Sequence, residues 1–139
     1  MGKYPIFLEL SGKQTVVIGG GHVASRKVKA LLEAGASVCI VADKLVGELA
    51  GLSRDGHVLL LGSKYRPEQI EGATVVIAAT SNRDLNTRVY EDCRRRRILC
   101  NVVDMPQMCD FFVPAVARCG PLQIAICTDG ASPAFARNI

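Results

Sequence analysis

Thr15-Val16-Val17-Ile18-Gly19-Gly20-Gly21-His22-Val23-Ala24 decides the reading of this chain. Four β-branched residues run without polar alternation into three glycines, the pattern of a buried strand that ends in a tight turn. Residues 22–34 then place Val23, Val28, Leu31 and Leu32 at helical spacing and stop at Gly35, a good helix-ending residue. Strand, Gly-rich turn and helix in direct succession form the setting in which G-x-G-x-x-A carries chemistry. Gly19 suits the tight turn, Gly21 lets backbone approach a pyrophosphate, and Ala24 permits close packing of helix on strand. The free N–H groups of the helix start would face the anion. The motif predicts a dinucleotide site; the plainer alternative is a glycine turn with a structural role only.

Working outward, strands are expected at residues 37–41, 58–61, 75–79 and 98–103. Between them, residues 44–54 and 83–97 read as helices, with Leu45, Leu49 and Leu52 on one side of the first and Leu85, Val89 and Cys93 inward on the second. A short turn is expected around Arg66-Pro67-Glu68. Strands alternating with helices demand right-handed crossovers and a parallel sheet. Residues 1–111 are therefore expected to form an α/β, Rossmann-like doubly wound domain that binds the dinucleotide. The pattern then changes. Residues 111–118 and 122–128 form two apolar strands joined through Cys119-Gly120-Pro121, which is hairpin grammar. Ser132-Pro133 reads as a helix N-cap and first-turn proline. A hairpin plus half a helix cannot make its own core, so residues 112–139 are expected to be the start of a second region that either packs on a partner or is a truncated domain.

Composition narrows the class. Hydrophobic residues make up 49% and charged residues 22%, enough for a sizeable core and incompatible with intrinsic disorder. No apolar run approaches the ~20 residues of a membrane span, and no secretory signal follows Met1-Gly2-Lys3-Tyr4-Pro5. Cys39, Cys93, Cys100, Cys109, Cys119 and Cys127 contain no C-x-x-C pair, so neither a metal site nor a redox motif is expected. The economical reading is a protein of the reducing cytoplasm. The net charge of +4 is mild and concentrated in Arg94-Arg95-Arg96-Arg97. A basic run at a helix C-terminus suits the helix dipole, and no aromatic residue is interleaved with it, so nucleic acid is not expected as a partner.

Further candidates follow from the rule that ligands sit outside the carboxyl ends of parallel strands. Asp43 follows the second strand where a carboxylate would accept from adenine-ribose hydroxyls and favour NAD over NADP; capping the next helix is its alternative role. Thr80, Ser81 and Asn82 close the fourth strand, and Asn101 with Val102 lies near the end of the fifth. Each polar one could contact cofactor or cap a helix. Asp104 is the carboxylate immediately after the fifth strand, with an ordinary turn-opening Asp as its alternative. Arg26 and Lys27 could meet a polycarboxylate or form a solvated helix face.

Taken together, these residues resemble a known family. Tyr4-Pro5-Ile6-Phe7-Leu8, the stretch from Val17 through the glycine turn to Lys27, Ala78-Ala79-Thr80-Ser81-Asn82, Asn101-Val102-Val103-Asp104-Met105-Pro106, Cys109-Asp110-Phe111 and Gly130-Ala131-Ser132-Pro133-Ala134 are similar to precorrin-2 dehydrogenases, the amino-terminal part of siroheme synthases. The resemblance implies oxidation of precorrin-2, a polycarboxylate tetrapyrrole, to sirohydrochlorin with NAD, and in many members insertion of ferrous iron as a second substrate. It places the family's catalytic aspartate on Asp104 and its dinucleotide contacts on His22, Val23, Asp43 and Lys44. It also implies a homodimer built on the hairpin from Phe112, in which two subunits complete one another's cleft. The competing reading is a non-catalytic NAD- or tetrapyrrole-binding module that supports a partner enzyme.

Overall fold

The computed structural model describes residues 2–127. Contacts divide the chain into two compact units: residues 8–111, and a second unit that joins described residues 2–7 to those from Phe112 onward.

The larger unit is built on β1 (Gln14–Ile18), β2 (Ser37–Val41), β3 (Val58–Gly62), β4 (Val75–Ala78) and β5 (Leu99–Val102), in the spatial order β3-β2-β1-β4-β5 and parallel throughout. The inner strands are apolar on both sides because both sheet faces are covered. Val17, Ile40 and Ile77 turn toward α1 (His22–Glu33) and α2 (Gly47–Arg54), where Val28 and Leu49 are fully buried. Val16, Ile18, Val76 and Cys100 turn the other way, onto Val89 and Cys93 of α3 (Arg83–Arg96). Adjacent residues of one strand thus serve different cores, which is why β1, β2 and β4 read as unbroken hydrophobic runs. The chain crosses from one face to the other between β3 and β4, carried by a 3-10 turn at Pro67–Ile70 rather than by an α-helix. The strand order reverses between β1 and β4, and at such a switch point the flanking connections diverge and leave a crevice.

The largest departures from the sequence expectation are at α2 and at the hairpin. α2 begins at Gly47 and not at residue 44, because residues 43–46 are committed elsewhere: the Val46 N–H donates to the Gly20 carbonyl at 2.8 Å. The hairpin arms, β6 (Ala115–Cys119) and β7 (Leu122–Ile126), are shorter than expected. Phe111 stays with the larger unit, its carbonyl accepting from Asn101 Nδ2 at 2.9 Å, and Pro114 lacks the N–H that an earlier ladder would need. Between β6 and β7 the turn is Gly120-Pro121, with Gly120 at φ 57, as the first central residue of a primed hairpin turn requires. In this smaller unit the Lys3 ammonium lies 4.5 Å from the centre of the Phe112 ring. The helix expected at Ser132-Pro133 lies outside the described residues.

Candidate functional site

Each glycine of the turn between β1 and α1 has its own reason to be there. Gly19 has φ 134, and a Cβ on it would come 2.6 Å from the Ala79 carbonyl oxygen. At Gly20 a Cβ would meet the Lys44 carbonyl oxygen at 2.0 Å. The fold itself therefore requires both. Gly21 is different: φ is −87, ordinary for any residue, and nothing lies within 4 Å of where its Cβ would be. It is also the N-cap of α1, with no side chain to cap the first-turn N–H groups. Those amides have no partners within the helix. An open cradle beside uncapped amides fits the pyrophosphate of a dinucleotide, with the helix dipole adding attraction.

That turn forms one wall of a cleft of about 540 Å³ at the carboxyl ends of the strands. Of the residues singled out from sequence, Gly19, Gly21, His22, Val23, Asp43, Lys44, Thr80, Ser81 and Asp104 line it. Asp43 does not cap α2, whose N-cap is Val46 and has no side-chain cap bond. The close seat of the Lys44 carbonyl against Gly20 instead fixes Asp43 and Lys44 relative to the glycine turn. Ala24, Asn82, Asn101 and Val102 lie off the cleft lining. Ala24 is fully buried between α1 and the sheet, where a larger side chain would push the helix away. Asn82 caps α3, accepting from Leu85 N–H at 3.1 Å. Asn101 is buried and spends its amide on the Phe111 carbonyl. Val102 is 1% exposed, in the core beneath α3.

Thr80 lines the cleft, but its hydroxyl is occupied by Asn86 Oδ1 of α3 at 2.5 Å, while Asn86 Nδ2 returns a bond to the Thr80 carbonyl at 3.0 Å. This leaves the exposed Ser81 as the loop's free hydroxyl toward the cleft. Asp104 stands opposite, exposed, in a turn just past β5, and has φ 64. Apart from the helix C-cap Arg97, it is the one non-glycine residue described in the left-handed region. Strain of that kind clusters where a side chain must be presented in a set direction.

Sequence reasoning missed part of the lining: Ser63 and Tyr65 after β3, and Leu85 on α3. The strand-end rule would have pointed to Ser63 and Tyr65, because they follow β3 as Asp43 follows β2. The Tyr65 ring forms cleft wall while its hydroxyl donates to Asp92 Oδ2 at 2.8 Å, deep in the unit. Burial, reinforced by that carboxylate, pushes the Tyr65 phenol above its ordinary value. Asp92, 1% exposed, is further paired with Arg95, and Arg96 bridges to Glu71 at 2.7 Å. Arg94 lies over Tyr90 with 5.5 Å to the ring centre, and Arg97 is the left-handed C-cap of α3. Arg94, Arg95 and Arg96 thus have local side-chain partners, and Arg97 ends the helix through its backbone. Arg26 and Lys27 do not line the cleft. No helix among the described residues is long and apolar enough to cross a membrane.

Comparison with known proteins agrees with this geometry. A family model for NAD(P)-binding proteins matches residues 6–115, and one for the central part of sirohaem biosynthesis proteins matches residues 120–139. Siroheme synthase 3 of Aeromonas hydrophila is 41% identical over 133 residues, which cover 96% of this chain and 28% of that protein. The siroheme synthase of Neisseria meningitidis serogroup C is 39% identical over 137 residues, covering 99% and 28%. The chain thus spans less than a third of the length of these curated relatives. Among solved structures, SirC, a precorrin-2 dehydrogenase, matches with a TM-score of 0.82 and 28% identity over 98% of this chain and 67% of that one. D-lactate dehydrogenase from Escherichia coli, at 14% identity and a TM-score of 0.52 over 74% of this chain and 32% of that one, shares the fold.

Proposed function

This chain belongs to the NAD(P)-binding family, and from that premise we propose that it oxidises precorrin-2 to sirohydrochlorin in siroheme biosynthesis, with NAD as hydride acceptor. The observation that carries the reading is the juxtaposition, in one cleft, of an uncapped helix start at Gly21 and a strained, exposed carboxylate at Asp104. The likeness to SirC and to the siroheme synthases supplies the substrate class.

The reaction removes two hydrogens from a reduced tetrapyrrole: one leaves as hydride, the other as a proton. When bound, the nicotinamide supplies the two-electron acceptor. This chain's own residues do the rest. The first-turn amides of α1 hold the pyrophosphate against Gly21. Asp43 accepts from the adenine-ribose hydroxyls, and its carboxylate opposes a 2′-phosphate, which selects NAD over NADP. Asp104 takes the proton as general base at the mouth of the cleft. Ferrous iron, where it is inserted, is a substrate, and the same carboxylate would receive the pyrrole protons that the metal displaces.

The reading includes a homodimer in the cytoplasm. Val116, Leu122 and Ile124 of the hairpin are exposed, as are Tyr4, Ile6 and Phe7 of the same unit. Leu122 and Ile124 share one face of the two-stranded sheet, and that face is the one a second copy would cover. The proposal is tested by anaerobic turnover of precorrin-2 with NAD, followed by sirohydrochlorin absorbance. Asp104→Ala abolishes turnover and leaves NAD affinity nearly intact; lost NAD binding, or normal turnover, would sink the assignment of Asp104. NAD bound without any turnover of wild type would favour the non-catalytic module.

A further inference from the structure

Asp104 occupies the third position of a β-turn at residues 102–105, closed by Met105 N–H donating to the Val102 carbonyl at 3.1 Å. Its backbone is in the left-handed region, which residues that carry a Cβ seldom adopt. The Cys109 sulfur lies 3.2 Å from the Val102 carbonyl oxygen and 3.3 Å from that of Met105, the two residues that end the turn on either side of Asp104. One S–H thus serves both ends of the turn.

Cys109 is itself anchored. The loop returns to β5, where Cys109 pairs with Asn101 in an antiparallel bridge. Asp110 N–H donates to the Cys100 carbonyl at 2.7 Å, and Asp110 Oδ2 accepts from Cys100 N–H at 2.9 Å. Asn101 Nδ2 closes the base on the Phe111 carbonyl. β5, paired to β4 and with Cys100, Asn101 and Val102 buried, is the fixed end of this brace. Burial raises the Cys109 thiol above the ordinary cysteine range, so at neutral pH it remains a protonated donor.

We propose that Cys109 is a positioning residue for Asp104: its thiol, fixed to β5 through Asn101 and Asp110, clamps both ends of the 102–105 turn and so presents the Asp104 carboxylate to the cleft. The inference rests on the proposed role of Asp104 as base. It also assigns Asn101 to the brace rather than to cofactor contact.

The test is steady-state turnover of precorrin-2 with NAD by wild type, Asp104→Asn, Cys109→Ala, Cys109→Ser and the Asp104→Asn/Cys109→Ala double variant. A misplaced catalytic group costs on the order of 100-fold in rate. Cys109→Ala is expected to lose kcat on that scale with the KM for NAD unchanged, and Cys109→Ser, which keeps a donor, to recover most of it. The double variant is expected to be no slower than Asp104→Asn alone, because groups that act as one unit are not additive. Amide hydrogen exchange at Met105 is expected to accelerate in Cys109→Ala and not in Cys109→Ser. Should the alanine variant not fold, Cys109→Val fills the volume without a hydrogen-bond donor. Wild-type kcat in Cys109→Ala, a raised KM for NAD with kcat kept, or additive losses in the double variant would each overturn the inference. Normal turnover by Asp104→Asn would instead remove the base assignment, and that single variant tells the two failures apart.

Discussion

The three glycines of the turn do different work, and substitution separates them. Gly20→Ala drives a Cβ into the Lys44 carbonyl, so the variant should lose about 1–3 kcal/mol in urea unfolding, the usual scale of overpacking. Displacing Lys44 would also move Asp43, so NAD affinity should fall with it. Gly21→Ala meets no protein atom. Its stability should stay within a few tenths of a kcal/mol of wild type, the range typical of surface changes, while calorimetry shows weakened NAD binding. Equal NAD affinity in Gly21→Ala and wild type would mean that the cradle beside α1 does not receive the pyrophosphate. At Asp43 the expected effect is on selectivity: Asp43→Ala should narrow the preference for NAD over NADP, read as the ratio of the two KM values, and an unchanged ratio would remove Asp43 from the cofactor site.

At the scale of elements, the Tyr65–Asp92 bond ties the connection after β3 to α3, and it carries a pH dependence. The folded Tyr65 phenol titrates above its ordinary value near 10, first through burial and then through Asp92. The stability it contributes is complete below that ordinary value and is lost as pH rises beyond it, because only the unfolded chain then ionises. Tyr65→Phe should cost about 1–3 kcal/mol near neutral pH, where Asp92 loses a buried donor. The gap from wild type should close above about pH 10; a gap that stays constant into alkali would contradict the bond. The strands and α1 were legible from sequence because their apolar spacing records which faces are buried. The true start of α2 was not legible, since it depends on Val46 reaching back to Gly20, a contact 26 residues away in sequence. Nor was the cap role of Asn82 separable from cofactor contact: an Asn at a strand end suits both, and the bond from Leu85 N–H to its Oδ1 appears only in the fold. Tyr65 escaped notice because a single aromatic residue between turns carries no period. Asp104 was legible as a carboxylate past β5, but its left-handed backbone and the Cys109 clamp exist only once the loop has returned to the strand.

On the scale of the whole molecule, the doubly wound unit supplies a cofactor cleft and the smaller unit supplies exposed apolar surface. Light scattering should therefore report a dimer, and charged substitutions at Leu122 and Ile124, which share one face of the hairpin, should shift it toward monomer; a wild-type chain that stays monomeric at high concentration would argue against the hairpin face as an interface. On the proposed function, two hydrogens leave a tetrapyrrole in the cleft lined by Gly21 and Asp104, one of them as hydride to the nicotinamide. The most direct measurement follows NADH and sirohydrochlorin together in one anaerobic reaction with precorrin-2. The two products are expected to rise in step, in equal amounts, and neither is expected to form with Asp104→Ala. Sirohydrochlorin without matching NADH, or bound NAD with neither product, would contradict the proposed function.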